Sequence, residues 1–152
     1  MIRYHPMKAV AANVPTRRIS NASPVGQGTS VMIMNGTEDP LVPFAGGEVK
    51  LIGLLYEAGN VFSSQESGQY FADRNNIAGT PATSRTDIAD GINVERKRWR
   101  KGGSIEVALV AVHGRGHGLR QAQYRRPRLL GPSPMAPDGP AMIRAFFARQ
   151  RP

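Results

Sequence analysis

Read as a pattern of apolar and polar positions, the chain is a series of short apolar runs separated by stretches rich in Gly and Pro. Met7–Val14 is the first run, built of small apolar residues, ended by Pro15 and followed by a loop-like stretch, Thr16–Gly28. Ser30–Asn35 (Ser-Val-Met-Ile-Met-Asn) is almost continuously apolar and lies between Gly28 and Gly36. That pattern predicts a strand buried on both faces, as in a parallel sheet covered by helices. A polar turn, Gly36-Thr37-Glu38-Asp39-Pro40, follows at its carboxyl end. Gln65–Asn76, with Tyr70, Phe71 and Ile77 as apolar positions, predicts one short helix, with Gly79 and Pro81 beyond its end. Pro81–Ala89 and Ile92–Arg100 flank Asp90-Gly91 and predict a hairpin with a two-residue turn. Ile105–Val112, β-branched and apolar, is the strongest strand, and a Gly-rich loop, His113–His117, follows it. After an irregular, proline-bearing connection, Gly118–Gly139, the chain closes on a predicted helix, Pro140–Arg149. This helix has an aromatic face, and Asp138 is placed to cap its start. No internal repeat or domain boundary interrupts residues 1–152.

Composition narrows the class. A length of 152 residues suffices for one core, and 17 Gly with 12 Pro makes the fold loop-rich. The absence of Cys excludes a disulfide framework and a thiolate metal site but leaves the compartment open. No run approaches the ~18 apolar residues of a membrane span. Met7–Val14 is too short and too interrupted, by Asn13 and Pro15, to read as a signal peptide. The net charge of +9 raises nucleic acid as a partner, with the densest cluster at Arg96-Lys97-Arg98-Trp99-Arg100-Lys101. The cations are nevertheless mostly arginines scattered from Arg3 to Arg151, with no helix-turn-helix, zinc-finger or RNP-like pattern beside them. The sequence alone therefore favours a solvated basic surface over a nucleic-acid patch. Trp99, inside the cluster, is expected to pack on a neighbour rather than stack on a ligand.

Candidate chemistry sits where two strands end. In open α/β sheets, sites form at the carboxyl ends of strands; Ser30–Asn35 leads to Asp39, and Ile105–Val112 leads to His117. Taken singly, an Asp before Pro is an ordinary turn residue, and a His in a Gly-rich loop is an ordinary surface residue. Together, in the order Asp…His, they match the last two members of the Ser…Asp…His order of α/β hydrolases. A serine hydroxyl needs an imidazole to take its proton, and the imidazole needs a carboxylate to fix its tautomer and stabilise its charged form. His5 and His113 show no metal-ligand spacing with this pair, so no metal is expected.

The stretch Val31-Met32-Ile33-Met34-Asn35-Gly36-Thr37-Glu38-Asp39-Pro40-Leu41-Val42-Pro43-Phe44-Ala45-Gly46-Gly47 resembles the acid-loop segment of the polyhydroxybutyrate depolymerase-like esterases, a group that takes in feruloyl and acetylxylan esterases. Gly114-Arg115-Gly116-His117 resembles their Gly-Gly-Gly-His loop, Ala9–Pro15 their preceding strand, and Ala145–Gln150 their terminal helix. The resemblance implies an α/β fold, the C-terminal portion of an α/β-hydrolase sheet with flanking helices and a β-hairpin insertion. It implies Asp39 as triad acid and His117 as base, Phe44 as a residue lining an acyl or aryl pocket, a polyester or aryl/acyl ester as substrate, and no cofactor. Relatives are often exported, which does not decide localisation here.

The sequence also departs from that pattern. Gly-x-Ser-x-Gly occurs nowhere in it, Arg115 replaces a glycine, and Gly118-Leu119-Arg120-Gln121 stands where relatives carry Thr/Ser-Trp-Pro-Gly. The expectation is thus a fragment or decayed copy that is inactive alone. The edge of its Met32–Asn35 strand, left open by missing partners, would favour self-association. The competing reading is a non-catalytic basic module that binds an anionic polymer through Arg96–Lys101.

Overall fold

A computed structural model of the protein describes residues 28–50, 57–88, 91–102, 105–116 and 138–150, with only the backbone described at 50 and 57–59. The elements in chain order are β1 (Val31–Gly36), β2 (Gly47–Lys50), β3 (Glu57–Val61), α1 (Ser64–Arg74), β4 (Ala82–Asp87), β5 (Asn93–Lys101), β6 (Ile105–Val112) and α2 (Gly139–Ala148). Four strands form one mixed sheet in the order β1-β6-β5-β4. β1 runs parallel to β6, and β6–β5 and β5–β4 are antiparallel. β2 and β3 form a separate antiparallel pair.

The near-continuous apolar runs of β1 and β6 follow from burial on both sides. Alternate residues feed two cores. Val31, Ile33, Val107 and Leu109 pack with Trp99 and with Ala72 and Ile77 from α1 and its exit. Met32, Ala108, Val110 and Val112 pack with Ile92, Val94 and Phe146 of α2. A period-2 strand that meets apolar partners on both faces has no reason to alternate apolar with polar residues. The architecture is therefore α/β, a mixed sheet with a helix against each face.

Helix α1 starts at a capping box: Ser63 Oγ accepts from Glu66 N at 3.1 Å and Glu66 Oε2 accepts from Ser63 N at 2.8 Å. Hydrogen bonds from the Ser63 side chain and backbone hold the Glu66 carboxyl below its ordinary value. One turn on, Gly68 leaves room for the indole of Trp99: a Cβ there would stand 2.8 Å from Trp99 Cη2. Trp99 is 1% exposed, and its Nε1 donates to Gln69 Oε1 at 3.3 Å. It packs, as its sequence context suggests. Helix α2 is capped by Asp138, whose Oδ1 accepts from Ala141 N at 3.2 Å.

The sheet is mixed: β1 pairs parallel with β6, as its apolar run suggested, and β5 enters antiparallel to β6. Three expectations change. The hairpin β4–β5 is an extension of the main sheet through β5 rather than an appendage. Its turn also differs: Asp87 opposes Asn93, and Ile88 N donates to Ile92 O at 2.9 Å. Three residues therefore separate Ile88 from Ile92, and the last of them, Gly91, has a φ of +74°, as three-residue hairpin loops require. The β2–β3 pair had no counterpart in the apolar pattern, since its residues (Gly47–Lys50 and Glu57–Val61) are largely polar or small. Met7–Val14, His5, His117 and the stretch 118–137 lie outside the described residues. Among the described residues β1 pairs on one side only, with β6, and no helix is long and apolar enough to cross a membrane.

Candidate active site

Parallel pairing brings the carboxyl ends of β1 and β6 level, with Gly36 opposite Val112. The two loops that leave these ends are joined by backbone. Thr37 N donates to Val112 O at 3.1 Å and Glu38 N to Arg115 O at 2.8 Å, while Gly114 N donates to Thr37 Oγ1 at 3.2 Å. Gly36 makes this closeness feasible. A Cβ at that position would lie 2.1 Å from the Arg115 carbonyl oxygen and 2.6 Å from that of Gly116, inside any contact a side chain tolerates. Sequence reasoning treated Gly36 only as the end of a strand; its role in admitting the second loop is visible only once that loop is in place.

Asp39 lies in the first loop, partly buried. Its Oδ1 accepts from Leu41 N and Val42 N, both at 2.9 Å, across Pro40. This is the turn-residue geometry that such an Asp adopts on general grounds. It also fixes the carboxyl group's orientation. The far end of the loop is tied to α1: Phe44 O accepts from Ser64 N at 3.0 Å, and Gly46 N donates to Pro43 O at 3.0 Å. Asn35, the last polar residue of β1, donates through Nδ2 to Ser64 Oγ at 2.6 Å in a buried contact. Phe44 is partly buried, and the described contact at this position is its carbonyl's bond to α1. The acid loop is thus fixed to β6 at one end and to the start of α1 at the other.

The described part of the second loop ends at Gly116, one residue before His117. Within it Arg115 is 4% exposed and Gly116 is buried. Burial of an arginine in a Gly-rich loop is not legible in sequence, where Arg115 reads only as the replacement of a glycine. His113 N donates to Asn93 O at 2.9 Å, which ties the loop's first residue to β5; its Nε2 is buried with no hydrogen-bond partner among the described residues. Asn35 and Ser64 also escaped the sequence reading. An Asn closing an apolar strand and a Ser inside a Ser-Ser capping sequence each have ordinary local explanations, and only the fold joins them. Among the described residues no three His, Cys, Asp or Glu side chains gather as a metal site would need. Comparison with known proteins finds no matching family model, and no significant match among curated proteins or solved structures.

Proposed function

We propose that this chain carries the acid and base of a serine ester hydrolase of the polyhydroxybutyrate depolymerase-like kind, with the nucleophilic serine supplied by polypeptide outside this sequence. The observation that supports the reading is the meeting of the Asp39 loop and the 113–116 loop at the level carboxyl ends of the parallel pair β1–β6. In such an arrangement Asp39, its carboxyl group oriented by Leu41 N and Val42 N, accepts a hydrogen bond from the His117 imidazole and stabilises its charged form. His117 takes the proton from the serine as it attacks the ester carbonyl, then returns it to the leaving alcohol. Water repeats the cycle on the acyl-enzyme. No cofactor takes part. Backbone donors for the oxyanion supply a large share of such catalysis; like the serine, they belong to the segment before the acid in this order.

The experiment is hydrolysis of p-nitrophenyl butyrate by two purified forms. The 152-residue chain is expected to match the buffer rate. A form extended upstream through an in-frame Gly-x-Ser-x-Gly is expected to turn over, with Asp39→Asn and His117→Ala each lowering kcat by about 10³- to 10⁴-fold. Turnover by either form that survives both substitutions would overturn the proposal.

A further inference from the structure

Strand alternation divides the cation cluster of residues 96–101 between two faces, which a linear reading cannot show. On the α1 side of β5 lie Glu95, Lys97, Trp99 and Lys101; Trp99 belongs to the core under α1. On the α2 side lie Val94, Arg96, Arg98 and Arg100, with Val94 in the core under α2. On the α1 side Arg85 and Lys97 share one acid, and Lys101 stands at the exposed end of the strand. Glu95 meets Arg85 at 2.6 Å and Lys97 at 3.5 Å; its carboxyl is lowered chiefly by the hydrogen bond from Arg85.

On the α2 side Arg96 and Arg98 have no acid partner among the described residues. Glu106, opposite Arg100, is the one acid that the four strands of the sheet place there. It is 2% exposed and already shared by Arg100 at 2.7 Å and Arg149 of the α2 C-cap at 3.2 Å. Arg96 donates to the neutral Thr86 Oγ1 at 3.2 Å. Arg98 is partly buried, and its side chain makes no hydrogen bond or ion pair among the described residues. Small side chains flank the row: Ala82 and Ser84 oppose Arg98 and Arg96 on β4, and Ala108 opposes Arg98 on β6. The three guanidinium stems leave the strand roughly 6.8 Å apart, two residues of an antiparallel strand. That spacing is twice the roughly 3.4 Å per charge along one strand of a duplex, so the row would meet alternate phosphates along the axis.

We propose that the Arg96–Arg98–Arg100 row on the α2 side of the β4–β5 hairpin binds the phosphodiester backbone of nucleic acid without base preference. An evenly spaced row suits a ligand with one charge per repeat, and the planar guanidinium matches phosphate with two parallel donors. No stacking aromatic stands in the row on this strand: its cross-strand neighbours are Ala82, Ser84, Glu106, Ala108 and Val110, and Trp99 is buried on the opposite face. This surface is independent of the esterase reading.

The test is fluorescence polarisation of the purified chain with two labelled single-stranded oligonucleotides of unrelated sequence, over a range of salt. Expected are equal affinities for the two and a log–log salt slope of about −2.1, from roughly 0.7 per phosphate neutralised on a single strand. Arg96→Glu with Arg98→Glu should weaken binding at least about tenfold, since each reversal removes a phosphate contact and adds a repulsion. Arg74→Glu with Arg144→Glu, the same charge change at exposed helix positions outside the row, should leave affinity near that of the parent. If the first pair disturbs the strand by circular dichroism, Arg96→Gln with Arg98→Gln replaces it, with a smaller loss expected. Absence of saturable binding at low salt, equal losses in both double variants, or capture of heparin by the row while the oligonucleotides go unbound would each overturn the proposal.

Discussion

The β1–β6 pair and the β4–β5 pair belong to one sheet, yet they are stabilised by different physics. β1 and β6 are buried on both faces between α1 and α2 and present almost nothing to water. All six residues of β4 are exposed, and its side-chain contacts to β5 are polar, through Arg85–Glu95 and Arg96–Thr86. Hydrophobic burial scales with apolar area, whereas exposed ion pairs contribute little each. The sheet should therefore be strong at one end and weak at the other, with Trp99 and Val94 the points where the hairpin borrows from the two cores.

The sharpest way to break that comparison is Trp99→Ala. It removes the hairpin's large core contact, and a loss of about 3–5 kcal/mol in urea unfolding is expected. A loss near that of a surface change would show that β5 does not depend on α1. Gly36→Ala comes next. Its Cβ would strike the Arg115 carbonyl, an overpacking cost of about 1–3 kcal/mol. It should also abolish hydrogen-exchange protection at the Thr37 and Glu38 amides, while β4 and β5 amides keep theirs.

A third prediction concerns pH. Burial pushes the Glu106 carboxyl up, but hydrogen bonds from Arg100 and Arg149 outweigh it and leave the group below its ordinary 4.5. A folded value under the unfolded one means stability that is present above about pH 4.5 and is lost as pH falls through the folded value. The melting temperature should drop in that acid window, and Glu106→Gln should flatten the drop. The smallest effect is expected from Arg85→Ala. Arg85 is 70% exposed in its side chain, and a double-mutant cycle with Glu95 should give less than about 1 kcal/mol.

Much of the core was legible from sequence because its elements are strongly patterned. The apolar runs of β1 and β6, the helix at Ser64–Arg74 and the Asp138 cap stand within a residue or two of where the pattern puts them. The β2–β3 pair was not legible, since Gly47–Lys50 and Glu57–Val61 are mostly polar or small residues and carry no periodic apolar signature. The hairpin turn was misread by one residue, because Asp-Gly serves two-residue and three-residue loops alike and the register decides between them. Of the candidate site, Asp39 and its turn could be read locally, whereas Gly36, Asn35–Ser64 and the burial of Arg115 could not. Each depends on a contact between segments at least 29 residues apart.

The socket that Gly68 provides for Trp99 has a consequence for how the hairpin finds its pairing. β4 is polar on both faces, so its own side chains favour no particular alignment, and a slip by one residue inverts every side chain of β5. Such a slip would expel the indole into water and drive Arg98 and Arg100 into the apolar layer under α1. One glycine in a helix and one tryptophan in a strand thus act as a proofreading device, discarding the misaligned hairpin and keeping the arginines on the face where they can remain hydrated.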